Sequence, residues 1–225
     1  PPRSTLFPYT TLFRSDCHDP DTMALRISRP GLIEAFARQG KDVNAVSHQE
    51  MRTMVCAQCH VEYYFKGEGS YLTFPWDLGM TPEKMQEYYD QYDFADWTHG
   101  ISKTRMVKMQ HPDYELYSTG IHAYRNVSCA DCHMPYRTEG GVKFTDHHLQ
   151  SPLLSIENSC QQCHRWGEDE IRSRVEGIQA KVREGRDRAE RAVAYAHFDI
   201  AAAMQAGATE DELTEARSLV RQAQL

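Results

Sequence analysis

The sequence predicts a mainly α-helical fold with little β structure, on three observations. The pattern Cys-x-x-Cys-His occurs three times, at Cys56–His60, Cys129–His133 and Cys160–His164. Helix-start signals open several short segments, among them Ser47-x-x-Glu50 and Thr81-Pro82-Glu83. From about Glu168 the apolar residues advance in alternating steps of three and four, as along one face of a long helix. The repeated motif says what fills the interior. Two thiols three residues apart on a helical turn reach the two vinyl groups of one porphyrin, and the adjacent imidazole swings under the iron. The expected architecture is therefore a non-native tail at 1–15, a multihaem c-type domain at 16–166 with haems packed between short helices, and long, dimer-contacting helices at 167–225.

Composition agrees with this picture. The 225 residues suffice for one good-sized domain. A hydrophobic fraction of 40% is modest for a globular core, which porphyrins would help to fill. A formal net charge of -7 argues against nucleic acid as a partner. No run of 18 apolar residues is present, so no transmembrane segment is expected.

Taken in order, residues 1–15 contain the near repeat Ser4-Thr-Leu-Phe7 and Thr10-Thr-Leu-Phe13 and resemble translated sequencing adapter. They are set aside from fold reasoning, with the expectation that native sequence, including any export signal, precedes Asp16. Cys17 and His18 form half a motif, because position 14, where the first cysteine would stand, is Arg14. Residues 30–39 predict a short helix, with Pro30 near its start and Gly40 after it. The capping box at Ser47 and Glu50 opens the helix that carries the Cys56 motif. Residues 66–80 read as a loop, and Thr81 begins a tyrosine-rich helix to about Phe94. Residues 98–127 mix loop and short helix. A turn at Gly140-Gly141 precedes a short strand near Val142–Thr145. The long helix carries Ile171, Val175, Ile178, Val182, Ala189, Ala192, Ala196 and Ala203 along one seam, weakened at Gly185 and Asp199. It ends at Gly207, and Thr209-x-x-Glu212 caps a second helix. The chain stops at Leu225 without a breaker, so truncation there is expected too.

Three chemistries compete for the cysteine pairs. Zinc would need two pairs on one metal, or pairs with histidines at finger spacing. A redox dithiol usually appears once, beside a strand. Covalent haem requires His directly after each second cysteine, which all three pairs have. All seven cysteines, Cys17, Cys56, Cys59, Cys129, Cys132, Cys160 and Cys163, then serve haem attachment, with His18, His60, His133 and His164 as proximal ligands. Seven further histidines remain, enough for bis-histidine iron. Of these, His122 and His148 are candidate distal ligands, though spacing does not say to which iron. His48, His99 and His197 are read as ordinary surface or core residues.

The segment Cys-Ala-Gln-Cys-His-Val-Glu-Tyr-Tyr-Phe at 56–65 resembles the third haem motif of the pentahaem cytochrome c nitrite reductases, the ammonia-forming enzymes. Lys108-Met-Gln-His-Pro112, Gly120-Ile-His122 and Cys129-Ala-Asp-Cys-His-Met-Pro135 match the same family in the same order. The resemblance covers nearly all of 16–225. It implies a calcium ion held by Glu62, the carbonyl of Tyr63, the carbonyl of Lys108 and the side chain of Gln110, oxygen donors suited to a hard cation. It implies Tyr63 and His111 as catalytic residues beside nitrite, together with an arginine and a lysine-ligated haem. It makes His122 the distal ligand of the haem at His164, and His148 that of the haem at His18. The implied reaction reduces nitrite to ammonium with six electrons and eight protons, fed by a quinol-linked or soluble cytochrome donor in a homodimer. Covalent haem implies assembly outside the cytoplasm, hence a periplasmic protein.

The departures are specific. The family's catalytic haem uses Cys-x-x-Cys-Lys, which is absent here, as is the upstream arginine. The distal ligands for the haems at His60 and His133 would also lie outside the chain. The expected contribution is electron-relay haems, the calcium site and half an active site, inactive as it stands. The rival expectation is a purely electron-transferring multihaem cytochrome, since every visible motif ends in His.

Overall fold

The computed structural model describes residues 14–225. The expectation for the tail, residues 1–15, falls outside the described residues except at Arg14 and Ser15. The described chain is mainly helical, and its six short strands form three two-stranded antiparallel pairs. It divides into two compact units. One comprises the residues through Asp77 together with Gln110–Glu168; the other comprises Leu78–Met109 and Asp169–Leu225. Residues 78–109 thus group with the C-terminal helices rather than with the haem-attachment segments beside them in sequence.

The first unit begins with helix α1 (Pro30–Arg38) and helix α2 (His48–Ala57). Pro30 opens α1 at a position where its missing N–H costs no helical hydrogen bond. The capping box of α2 forms as expected. Ser47 Oγ accepts from the Glu50 N–H, and Glu50 Oε2 accepts from the Ser47 N–H at 2.9 Å. Hydrogen-bonding to Ser47 holds the Glu50 carboxyl below its usual range. In the segment 66–80 read as loop lies strand β2 (Tyr71–Thr73), paired with β1 (Tyr64–Lys66) just before it. Three short helices follow residue 110: α4 (Asp113–Ser118), α5 (Ile121–Tyr124) and α6 (Cys129–His133). Ser128 and Asp131 make a second capping box at the start of α6. The strand expected at Val142–Thr145 is present as β6, paired with β5 (Tyr136–Glu139). Gly140 and Gly141, with φ of 56° and 80°, form the tight turn between them; a side chain at either position would be strained. The core of this unit gathers Leu32, Val61, Phe74 and Trp76, all buried.

The second unit holds helix α3 (Pro82–Gln91), the short pair β3 (Trp97–Thr98) and β4 (Arg105–Met106), and the long helices α7 (Glu168–Gln205) and α8 (Glu210–Gln224). Helix α7 runs unbroken through Gly185 and stops before Gly207, whose φ of 93° closes the helix end. Met106, Ile200, Leu213 and Val220 form its core, with Ala196 and Ala203 of the seam packed against it. Arg221 secures α8 through the carbonyls of Phe94 and Arg105, at 2.8 and 3.0 Å, and the Asp90 carboxylate at 3.1 Å. Farther up the seam, Ile178 and Val182 are exposed. Among the described residues no helix is long and apolar enough to cross a membrane.

Candidate functional site: a multihaem centre beside an oxygen-rich cluster

Each complete motif occupies a short turn of helix, as thioether attachment requires. The His60 N–H donates to the Cys56 carbonyl at 2.9 Å, and the His164 N–H to the Cys160 carbonyl at 2.9 Å. The third motif is helix α6 itself. The half motif adopts the same turn, with the His18 N–H on the Arg14 carbonyl at 2.8 Å. Arg14 therefore stands where the first cysteine of a fourth motif would stand. All seven cysteines are free thiols. The neighbouring Cys56 pulls the Cys129 thiol down to about 7, while Cys129 and burial push Cys56 up. Burial, followed by the neighbouring Cys160, pushes Cys132 up to about 11.

The imidazoles are posed as metal ligands usually are, with one ring nitrogen tied to an oxygen and the other left for the metal. His60 Nδ1 lies 2.9 Å from Asp113 Oδ2, His18 Nδ1 2.9 Å from the Met23 carbonyl, and His133 Nδ1 3.0 Å from the Gln150 carbonyl. The His164 ring stacks on Trp166 at 5.1 Å. Opposite it stands His122, with ring centroids 6.2 Å apart. His18 has a partner at the same separation, 6.2 Å, but it is His147. With metal–imidazole bonds of about 2 Å, an iron between two imidazoles separates their centroids by about 6 Å. Both pairs fit that requirement. His148, expected opposite His18, instead lays its Nδ1 on Asp146 at 2.7 Å and leaves its side chain 89% exposed. His147, held through Nδ1 to the Thr145 carbonyl at 2.8 Å, takes the place facing His18. Burial pushes the Asp146 carboxyl up, but the His148 amide and ring and Arg137 outweigh it and keep it low.

Beside His60, the structure gathers the expected catalytic pair. The Tyr63 and His111 rings lie 5.7 Å apart, and His111 lies 6.4 Å from the His60 ring. The Tyr114 N–H donates to the His60 carbonyl, so α4 and the Cys56 motif are tied where His111 enters. Glu62 is fully buried, and its Oε2 accepts the Gln110 N–H at 2.5 Å. The Gln110 N–H contact brings the Gln110 backbone to the buried Glu62 carboxylate, and a carboxylate, the Tyr63 carbonyl and the Gln110 carboxamide are by their chemistry hard oxygen donors of the kind calcium takes. Lys108 belongs to the second unit, where its N–H donates to Asp96 Oδ2 at 2.7 Å. Among the described residues no three His, Cys, Asp or Glu side chains gather for one metal. The cation reading therefore rests on carbonyl and amide oxygens besides Glu62.

Sequence reasoning passed over Glu115. Its Oε1 accepts from the Glu62 N–H at 2.9 Å and from Trp76 Nε1 at 2.7 Å. Burial pushes its carboxyl up against the opposing pull of those two donors. No short-range pattern marks Glu115 or Trp76, which are 39 positions apart. His197, read as ordinary, stacks on His99 with centroids 3.7 Å apart and hydrogen-bonds Ser102 at 2.8 Å.

A mainly α chain with three haem-attachment turns, one imidazole pair at His164 and another at the half motif of His18, defines a multihaem c-type cytochrome. Residues 11–225 match the cytochrome c552 family, and the chain belongs to that family. It is 59% identical over 210 residues to cytochrome c-552 of Bacteroides fragilis, covering 93% of this chain and 43% of that protein. Against cytochrome c-552 of Maridesulfovibrio salexigens it is 45% identical over 221 residues, with 93% and 44% covered. Among solved structures it is similar to the catalytic subunit of cytochrome c nitrite reductase from Desulfovibrio desulfuricans, described by its two calcium sites. The TM-score is 0.87 at 40% identity, over 93% of this chain and 48% of that one. The chain thus spans less than half the length of these relatives.

Proposed function

We propose that this chain is part of a periplasmic, ammonia-forming nitrite reductase. In this reading it carries the electron-relay haems, a calcium site and half of the nitrite site. The observation that carries the proposal is the juxtaposition of Tyr63 and His111 beside the His60 motif, 5.7 Å apart and adjoining the Glu62–Gln110 contact. Haem, when bound, supplies one-electron transfer and, at an iron with an open position, a place for nitrite. Cys56 and Cys59, Cys129 and Cys132, and Cys160 and Cys163 would attach it, with His60, His133 and His164 beneath the irons. His122 would complete the iron at His164. His147, rather than His148, would complete the iron at His18. Glu62, the Tyr63 carbonyl and Gln110 would hold calcium and so keep the Tyr63 ring in register with His111.

His111 is suited to hold and deliver a proton, because imidazole titrates near neutral pH. Tyr63 can donate a hydrogen bond to a bound anion or pass on a proton. The electron donor would be a quinol-linked or soluble cytochrome, and the exposed Ile178 and Val182 on α7 would meet a second copy of the protein. The test is His111→Asn and Tyr63→Phe in the full-length protein, scored by nitrite turnover at unchanged haem content. Undiminished turnover in both variants refutes the assignment. One observation favours a purely electron-transferring cytochrome: each complete motif ends in His and none in Lys. A Cys-x-x-Cys-Lys encoded upstream of Asp16 at the same locus would exclude that second reading.

A further inference from the structure

We propose that Glu115 is the positioning residue of the oxygen cluster around Glu62, setting the affinity of that cluster for a divalent cation. The inference rests on the calcium reading above and extends it to a residue outside the ligand set. Glu115 is 3% exposed, in the first turns of α4. A single oxygen, Oε1, receives both the Glu62 N–H and the Trp76 indole N–H, while Oε2 has no hydrogen-bond partner. Placing a carboxyl in such surroundings is costly unless its bonds are well made. Trp76 cannot swing away from Oε1, because it is 1% exposed and its ring meets Phe74, Tyr114 and Phe36 at 5.0, 5.6 and 5.9 Å.

The consequence is a chain of fixed positions. The aromatic cage fixes Trp76, Trp76 fixes Oε1, and Oε1 fixes the amide of Glu62. That amide opens the residue whose carboxylate accepts the Gln110 N–H, and Tyr63 is the residue that follows it. Oxygens that must converge on one cation are thereby pre-set before it arrives. Such outer partners commonly govern metal affinity without touching the metal.

The experiment titrates the chelator-treated, full-length holoprotein with calcium chloride by calorimetry, and records thermal midpoints with calcium and with chelator. Glu115→Ala should weaken calcium about 10- to 100-fold, as loss of an outer-shell partner does. Glu115→Gln, which keeps an Oε1 acceptor of the same shape, should stay within roughly threefold of the parent. Trp76→Phe, which keeps a smaller aromatic ring and removes the indole donor, should fall between them. The calcium-dependent rise in midpoint should shrink in Glu115→Ala; a residue with only a structural role would lower the midpoint equally with and without calcium. Parental calcium affinity in Glu115→Ala, with loss in Glu62→Gln, overturns the proposal and leaves the calcium site standing. If Glu115→Ala does not fold, parental affinity in Trp76→Phe overturns it instead. Absence of calcium binding in the parent, or indifference to Glu62→Gln, overturns the calcium reading and this proposal with it.

Discussion

Replacing Arg52 by Met should loosen the two haem-bearing helices from each other. Arg52 lies on α2, four residues before Cys56, and is 4% exposed. Its Nη2 meets Asp131 Oδ1 at 3.0 Å, its Nη1 donates to Tyr136 Oη at 2.9 Å, and its guanidinium lies 4.4 Å from the Tyr136 ring centroid. Asp131 is the capping-box residue of α6, the helix of the second motif. Methionine keeps the apolar stem and removes the charge, so Asp131 is left facing an uncompensated site. Breaking one side of a buried ion pair costs about 3–5 kcal/mol. Because the Asp131 side chain is 27% exposed, the lower end, about 3 kcal/mol, applies. For a chain of this length that corresponds to a fall in thermal midpoint of about 6–12 °C, and for a full-length protein about twice as long to about half of that, about 3–6 °C. The assay is thermal unfolding of the full-length holoprotein, monitored in the far ultraviolet, for Arg52→Met, Asp131→Asn and the double variant. Coupling is expected, with the double variant losing less than the two single losses combined. A single-variant loss below about 1 kcal/mol, as for an ordinary surface pair, or strict additivity, would refute the argument that this guanidinium joins the helices.

Further outcomes follow from the site and its surroundings. In the full-length protein, His147→Ala should convert one low-spin haem to high-spin in the visible and electron paramagnetic resonance spectra, whereas His148→Ala should leave the haem spectra at the parental pattern; the reverse result would restore His148 as the ligand. His122→Ala should produce a separate high-spin signal, and the two losses should sum in the double variant. Burial, and then the stacked His99, hold the His197 imidazole below its ordinary value of 6.5. The unfolded chain then binds the extra proton first, so this contribution to stability is present above about pH 6.5 and is lost as pH falls below it. Denaturation midpoints at pH 8 and pH 5.5 should therefore diverge more in the parent than in His197→Gln, and equal divergence would exclude the pair as the source.

The sequence by itself determined the features whose physics is local. Cys-x-x-Cys-His needs only one turn of chain, and the turn at Cys56, Cys129 and Cys160 has the form that spacing requires. The same holds for the caps at Ser47, Thr81 and Thr209, where a side chain bonds an amide three residues on. The long helix α7 and its stop at Gly207 are also read from short windows, since helical period and positive φ are properties of a few neighbouring residues, but of the expected seam Ile178, Val182, Ala189 and Ala192 are exposed while Val193 and Ile200 pack on the core instead. Three matters were left to the tertiary structure. Adjacent residues in extended chain point to opposite sides, so the choice between His147 and His148 depends on where the β5–β6 pair delivers Thr145 and Asp146. The grouping of 78–109 with the C-terminal helices depends on Arg221 and on Met106, which shares a core with Ile200, Leu213 and Val220, partners 94 to 131 positions apart. Trp76, Glu115 and Glu62 become one hydrogen-bonded chain only when three distant segments meet. No window of sequence shows that, because a carboxylate oxygen acquires its role from whichever amides the fold brings to it.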